Sequence, residues 1–259
     1  MERARQTRWP RRLRLLGITL TLFVLWPVAG LLPITLESSY GALAVPVLLA
    51  AFYAVQLRPA APRTRATLRL RAPELPAGTL AALVVASGAV AIGMAAVRPL
   101  LAGDVPDAGH EDSGIVNPAT LMALAVGFAP LVEEVAFRGW LQRPLERRWG
   151  TRWALAGSAT GFSLVHFDAA LLPGYLFVGW VFGAAVVRAR SLWAGVLMHT
   201  GHNSALVLGE LTLGSTSAIP PLVGLGLMAL AGGAALWLLR GATGGSGRRA
   251  PAHPRSVAL

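Results

Sequence analysis

Residues 131–140 read LVEEVAFRGW and set two adjacent glutamates and an arginine at the end of an apolar run that begins at Pro118. On insertion scales a charged side chain at the centre of a membrane helix costs about 2.5–3.5 kcal/mol, so three together need a reason. A helix places Glu134 and Arg138 four apart on one face, where they can pair. Glu133 is rotated roughly 100° from Glu134 and does not share that pair. One carboxylate is thereby anchored, and the other is left for chemistry. Everything outward of this stretch is read for groups that could meet Glu133.

The whole chain suits a membrane setting. It has 259 residues, of which 14% are charged, and a mean hydropathy of +0.58. Such values describe an all-α, polytopic membrane helix bundle better than a soluble enzyme. All 23 basic residues are arginine, and the net charge is +11. The arginines sit in short segments flanking apolar runs, which is the positive-inside pattern and speaks against nucleic-acid binding. With no cysteine, disulfides and thiolate chemistry are excluded and the redox compartment is undetermined.

Arg11-Arg12 has the look of a twin-arginine signal, but the uncharged run over 15–36 that follows is too long for a signal core and suits a retained first span. Further spans are expected over 40–57, 80–97, 118–141, 153–172, 174–187, 192–208 and 219–239. That makes about eight transmembrane helices with the N- and C-termini cytoplasmic. On this topology 21 of the 23 arginines are cytoplasmic, the exceptions being Arg98 and the intramembrane Arg138. If the short 174–187 segment were re-entrant, everything after it would invert. The organisation is then three N-terminal helices over 1–117, a core over 118–210, a last helix over 211–240, and a disordered Gly-, Ser- and Pro-containing tail over 241–259.

Two other spans carry ionisable groups. Residues 161–167 read GFSLVHF, with Phe162 and His166 four apart, and residues 198–204 read MHTGHNS, with His199 and Asn203 four apart. At about 1.5 Å per residue, Glu133 lies roughly 12 Å from its cytoplasmic helix end, and His199 and Asn203 roughly 11 and 17 Å from the start of theirs. His166 falls deeper, at roughly 20 Å. All four fit the middle band of a ~30 Å hydrocarbon core, where they could line one cavity.

In order, Glu133-Glu134 with Arg138, Phe162 with His166, and His199 with Asn203 follow the patterns EExxxR, FxxxH and HxxxN. The chain therefore resembles the CPBP family of intramembrane proteases over about residues 118–210. That family includes the type II CAAX prenyl endopeptidases and Abi-like bacterial relatives linked to bacteriocin processing and self-immunity. The resemblance implies peptide-bond hydrolysis within the cell membrane, on a membrane-associated peptide or protein near the cytoplasmic side, with CAAX-type C-terminal processing as one form of it.

Under that resemblance Glu133 is the general base, since a carboxylate in an apolar cavity is well matched to taking a proton from water. His166 would hold the same water, while His199 and Asn203 would donate to the oxyanion of a tetrahedral intermediate. Glu134 and Arg138 read as support, and Phe162 as packing that fixes His166. His202 reads as structural; Asp168, Glu210 and His110 as interfacial or outer-loop groups. Glu133, His166 and His199 are acceptable zinc ligands, but no HExxH helix accompanies them, so a metal-free glutamic mechanism is the favoured reading. Two other functions fit the same letters: a proton- or ion-coupled transporter, since intramembrane Glu, Arg and His also mark ion pathways, and a catalytically silent immunity or scaffold protein.

Overall fold

A computed structural model describes residues 68–102, 123–213 and 216–240. The expected spans over 15–36 and 40–57, and His110, lie outside them. Every regular element among the described residues is helical. This is what a bilayer demands, because a lipid-facing backbone must satisfy its own hydrogen bonds. Helix α1 runs Ala77–Ala102. Helix α2 is a continuous run of four pieces: π-helical Ala123–Phe128, α-helical Ala129–Glu134, π-helical Val135–Gln142 and α-helical Arg143–Trp149. Then come α3 (Thr151–Leu164), α4 (Leu172–Ala189), α5 (Leu192–Leu213), a single 3₁₀ turn and α6 (Pro221–Leu238). Of these, α1, α4 and α6 are long and apolar enough to cross a membrane.

The π pieces have a cause in the sequence. Pro130 and Pro144 open the two α pieces of α2, and each lacks the N–H that the carbonyl four residues earlier would use. The wider i→i+5 winding just before each proline accommodates that missing donor. Gly150 then turns the chain with φ +82° into α3. Trp149 and Trp153 are exposed at this corner beside Arg147, Arg148 and Arg152, as aromatic and basic residues are at a membrane–water boundary.

Helix α3 ends at Leu164, eight residues short of the expected span end at 172. His166 N–H and Phe167 N–H reach back only three residues, to Ser163 and Leu164, and Phe167 adopts φ +51°. His166 and Asp168 therefore lie in the turn beyond the helix, so depth counted along a helix from 153 does not apply to His166. Asp168 Oδ1 accepts from the Leu171 N–H (3.1 Å), and Pro173 stands in the first turn of α4, starting that helix at Leu172.

Helix α5 packs on α1 and α4, α3 on α4 and the end of α2, and α6 chiefly on α1. Where α1 meets α6, Gly93 and Gly224 bring the backbones together: a β-carbon on Gly93 would sit 2.6 Å from the Gly224 carbonyl. The segment before α1 straps one end of the bundle. Glu74 N–H donates to Ala189 (2.9 Å), Leu192 N–H to Arg69 (3.0 Å), and Arg69 pairs with Glu146 of α2 at 3.1 Å.

Candidate active site

Arg138 is wholly buried, and a guanidinium in such a place needs donors met and charge balanced. One nitrogen donates to Glu134 Oε1 at 2.6 Å, and the other terminal nitrogen to the Gly179 carbonyl of α4 at 2.9 Å. Its plane also lies over two rings, Phe162 of α3 at 4.5 Å and Phe182 of α4 at 5.5 Å. One turn on, Gln142 repeats the reach and donates to the Gly183 carbonyl at 3.2 Å. Two side chains four apart on α2 thus hold two carbonyls four apart on α4.

Glu134 is shared. Besides Arg138, its Oε1 accepts from His199 Nδ1 of α5 at 3.1 Å. A carboxylate can only accept, so the Nδ1 carries the proton and the Nε2 is the nitrogen left for other partners. That Nε2 stands 3.9 Å from Glu133 Oε2. The imidazole is flanked by Phe182 at 5.1 Å and Phe162 at 5.6 Å. Gly195, one turn before His199, leaves the room for this: a β-carbon there would lie 2.5 Å from Glu134 Oε2.

Glu133 differs from its neighbour. It is buried as well, and its Oε2, like Glu134 Oε2, accepts no hydrogen bond from a protein group; but where Glu134 Oε1 accepts two, the nearest cationic partner of Glu133 is His199 Nε2 at 3.9 Å. Leaving a buried carboxylate oxygen unpaired is costly, and at Glu133 no close ion pair offsets it.

His166 approaches from the turn after α3. Its Nδ1–H donates to the Phe162 carbonyl at 2.8 Å, its ring lies 4.7 Å from Phe162, and it is within electrostatic reach of Glu133 and His199. Asn203, one turn beyond His199, donates to the Ala125 carbonyl in the first π piece of α2 at 2.7 Å.

The structure therefore gathers Glu133, Glu134, Arg138, Phe162, His166 and His199 around one centre, with Asn203 bound at its edge to Ala125. His202 borders the site through the Phe182 ring at 5.9 Å, and its Nδ1–H donates to the Ser87 carbonyl of α1 at 3.1 Å. Glu210 accepts from the Thr216 backbone N–H at 3.0 Å. Asp168 pairs with Arg98 at 3.3 Å. Three contributors escape the motif reading: Phe182, Gln142 and Tyr175, whose ring stacks on His166. Gln142 had a visible signal, since it lies four residues beyond Arg138 on the same face; the two aromatics sit in an ordinary apolar run.

Among the described residues, no group of three or more histidine, aspartate or glutamate side chains stands close enough to hold a metal ion. The Nδ1 atoms of His199 and His166 are held by a carboxylate and a carbonyl, so the Nε2 atoms are the ring nitrogens left for another partner.

No curated protein and no solved structure is similar enough to the chain to count as a match. A family model does match, described as type II CAAX prenyl endopeptidase Rce1-like, over residues 115–205. Those residues hold every group in the cluster around Glu133. Over the segment that carries the three motifs the chain is thus similar to the Rce1-like type II CAAX prenyl endopeptidases, and its apolar helices point to a membrane protein.

Proposed function

We propose that the protein is an intramembrane endopeptidase of glutamic type, acting on a membrane-associated peptide or protein, with CAAX-type C-terminal processing as the first candidate. The family match supports the reaction class. One contrast carries the mechanism: Glu134 Oε1 is engaged by both Arg138 and His199, whereas the buried Glu133 has no charged partner closer than His199 Nε2 at 3.9 Å.

Glu133 takes a proton from a water molecule whose oxygen attacks the scissile carbonyl carbon. His166, with Nδ1–H held by the Phe162 carbonyl, offers its Nε2 lone pair to the same water. The carbonyl oxygen becomes an oxyanion. Asn203 donates its second amide hydrogen to it, the first being on Ala125; donation from His199 Nε2 requires a second proton on the ring, its Nδ1–H being on Glu134. The C–N bond then breaks, and the proton on Glu133 passes to the leaving nitrogen. The site would open toward the cytoplasmic side of the cell membrane.

Full-length protein in lipid nanodiscs, given a quenched peptide ending in a CAAX sequence with and without a farnesyl group, tests this. Glu133→Gln should lower kcat by about 10²–10⁴-fold, the usual worth of a positioned base, with the unfolding midpoint unchanged. Parent-like cleavage by Glu133→Gln would remove Glu133 from the role of base.

A further inference from the structure

Tyr175 is one turn into α4 and belongs to none of the three motifs. Its ring lies 4.1 Å from that of His166, with an interplanar angle of 23°, a stacked pair. Phe162 contacts the same imidazole at 4.7 Å with a 51° tilt, while its carbonyl holds the Nδ1. The histidine is thus held by two rings and one hydrogen bond. It needs such support because it sits past the end of α3, in a turn where its own backbone is fixed only by a three-residue bond to Ser163.

The start of α4, which carries Tyr175, is itself held. Asp168 accepts from Leu171 N–H with one oxygen and pairs with Arg98 of α1 through the other. Ser163 Oγ donates to the Leu172 carbonyl at 2.9 Å, tying α3 to the first residue of α4. Tyr175 N–H closes the first turn on the Leu171 carbonyl at 2.9 Å. The tyrosine is fixed before it meets the histidine, so the direction of support runs from α4 to His166.

We infer from this geometry that Tyr175 is a positioning residue, whose ring fixes the orientation of the His166 imidazole. The kinetic consequence rests on the hydrolase reading above; the structural consequence does not. Small misplacements of a reacting group are expensive, up to about 10²-fold for an ångström.

Tyr175→Leu and Tyr175→Phe in the reconstituted full chain, each alone and with His166→Ala, provide the test. Tyr175→Phe keeps a ring to stack and should retain most of the rate. Tyr175→Leu should lower kcat about tenfold with KM unchanged, as expected for a partly misplaced group. In the His166→Ala background the leucine should cause no further loss. A loss that persists undiminished there overturns the proposal. Carbethoxylation by diethyl pyrocarbonate, read residue by residue from peptide masses, needs no turnover. His166 should react several-fold faster in Tyr175→Leu and at the parent rate in Tyr175→Phe, with His199 unchanged. Equal rates at His166 in all three proteins overturn the assignment. If no variant cleaves any peptide, the hydrolase reading fails, while the modification rates still decide the role of Tyr175.

Discussion

The α1–α6 contact and the α2–α4–α5 contact are both helix packings in the same bundle, yet they are held in opposite ways. Between α1 and α6 the backbones close over Gly93 and Gly224 with side chains as small as Ala96 alongside. Only 17% of the apolar window of α6 is buried. Between α2, α4 and α5 the closeness comes from long polar side chains that cross the gap: Arg138 and Gln142 to α4, Glu134 to His199 of α5. Shape alone suffices in the first region, because lipid gives no water-driven reason to associate and close fit supplies the attraction. The second region must keep charge balanced as well, so it tolerates change far less. The catalytic candidates lie in the stringent region.

Four substitutions, one of them a second-site change, probe that difference. Arg138→Leu strands the buried Glu134 carboxylate and frees α4 from α2. It should cost about 3–5 kcal/mol, as removal of one partner of a buried pair does. Adding Glu134→Gln should recover part of the loss; unfolding in mixed micelles followed by helicity measures both. Gly224→Leu forces a side chain toward Ala96 Cβ and the Gly93 carbonyl, which lie only 2.7 and 2.9 Å from the place a β-carbon would take. Overpacking of this kind costs about 1–3 kcal/mol, and cleavage by the surviving folded fraction should be unaffected. If Arg138→Leu proves no worse than Gly224→Leu, the two regions are not held differently after all. Gln142→Leu should matter least, within about 1 kcal/mol. It gives up one hydrogen bond to Gly183 but also removes the buried, unpaired Gln142 Oε1.

What the sequence disclosed follows from the range of its signals. The pairing of Glu134 with Arg138 is a four-residue relation on one helix, and spacing alone predicts it. The bond from His199 to that same glutamate joins residues 65 apart and arises only when α5 lies against α2. The end of α3 was hidden for another reason. Residues 164–167 read LVHF, which carries no glycine or proline to announce a stop, and the left-handed backbone at Phe167 is imposed by the turn around it. The 153–172 expectation therefore overran into the turn, and the stacking of Tyr175 on His166 could not be foreseen from a helix-face argument. The π winding of α2 was latent in Pro130 and Pro144, whose missing N–H groups are legible once the helix is known to continue through both.

The room beside Glu134 has a bearing on how such chains can diverge. A methyl group at position 195 would land 2.5 Å from Glu134 Oε2, and Val186 closes the same pocket from α4. The volume is a common allotment that residue 134 or residue 195 can draw on, but not both. Sequences that enlarge residue 195 must therefore shorten the acid at 134 in step, and the two positions, 61 apart in the chain, should drift as a linked pair.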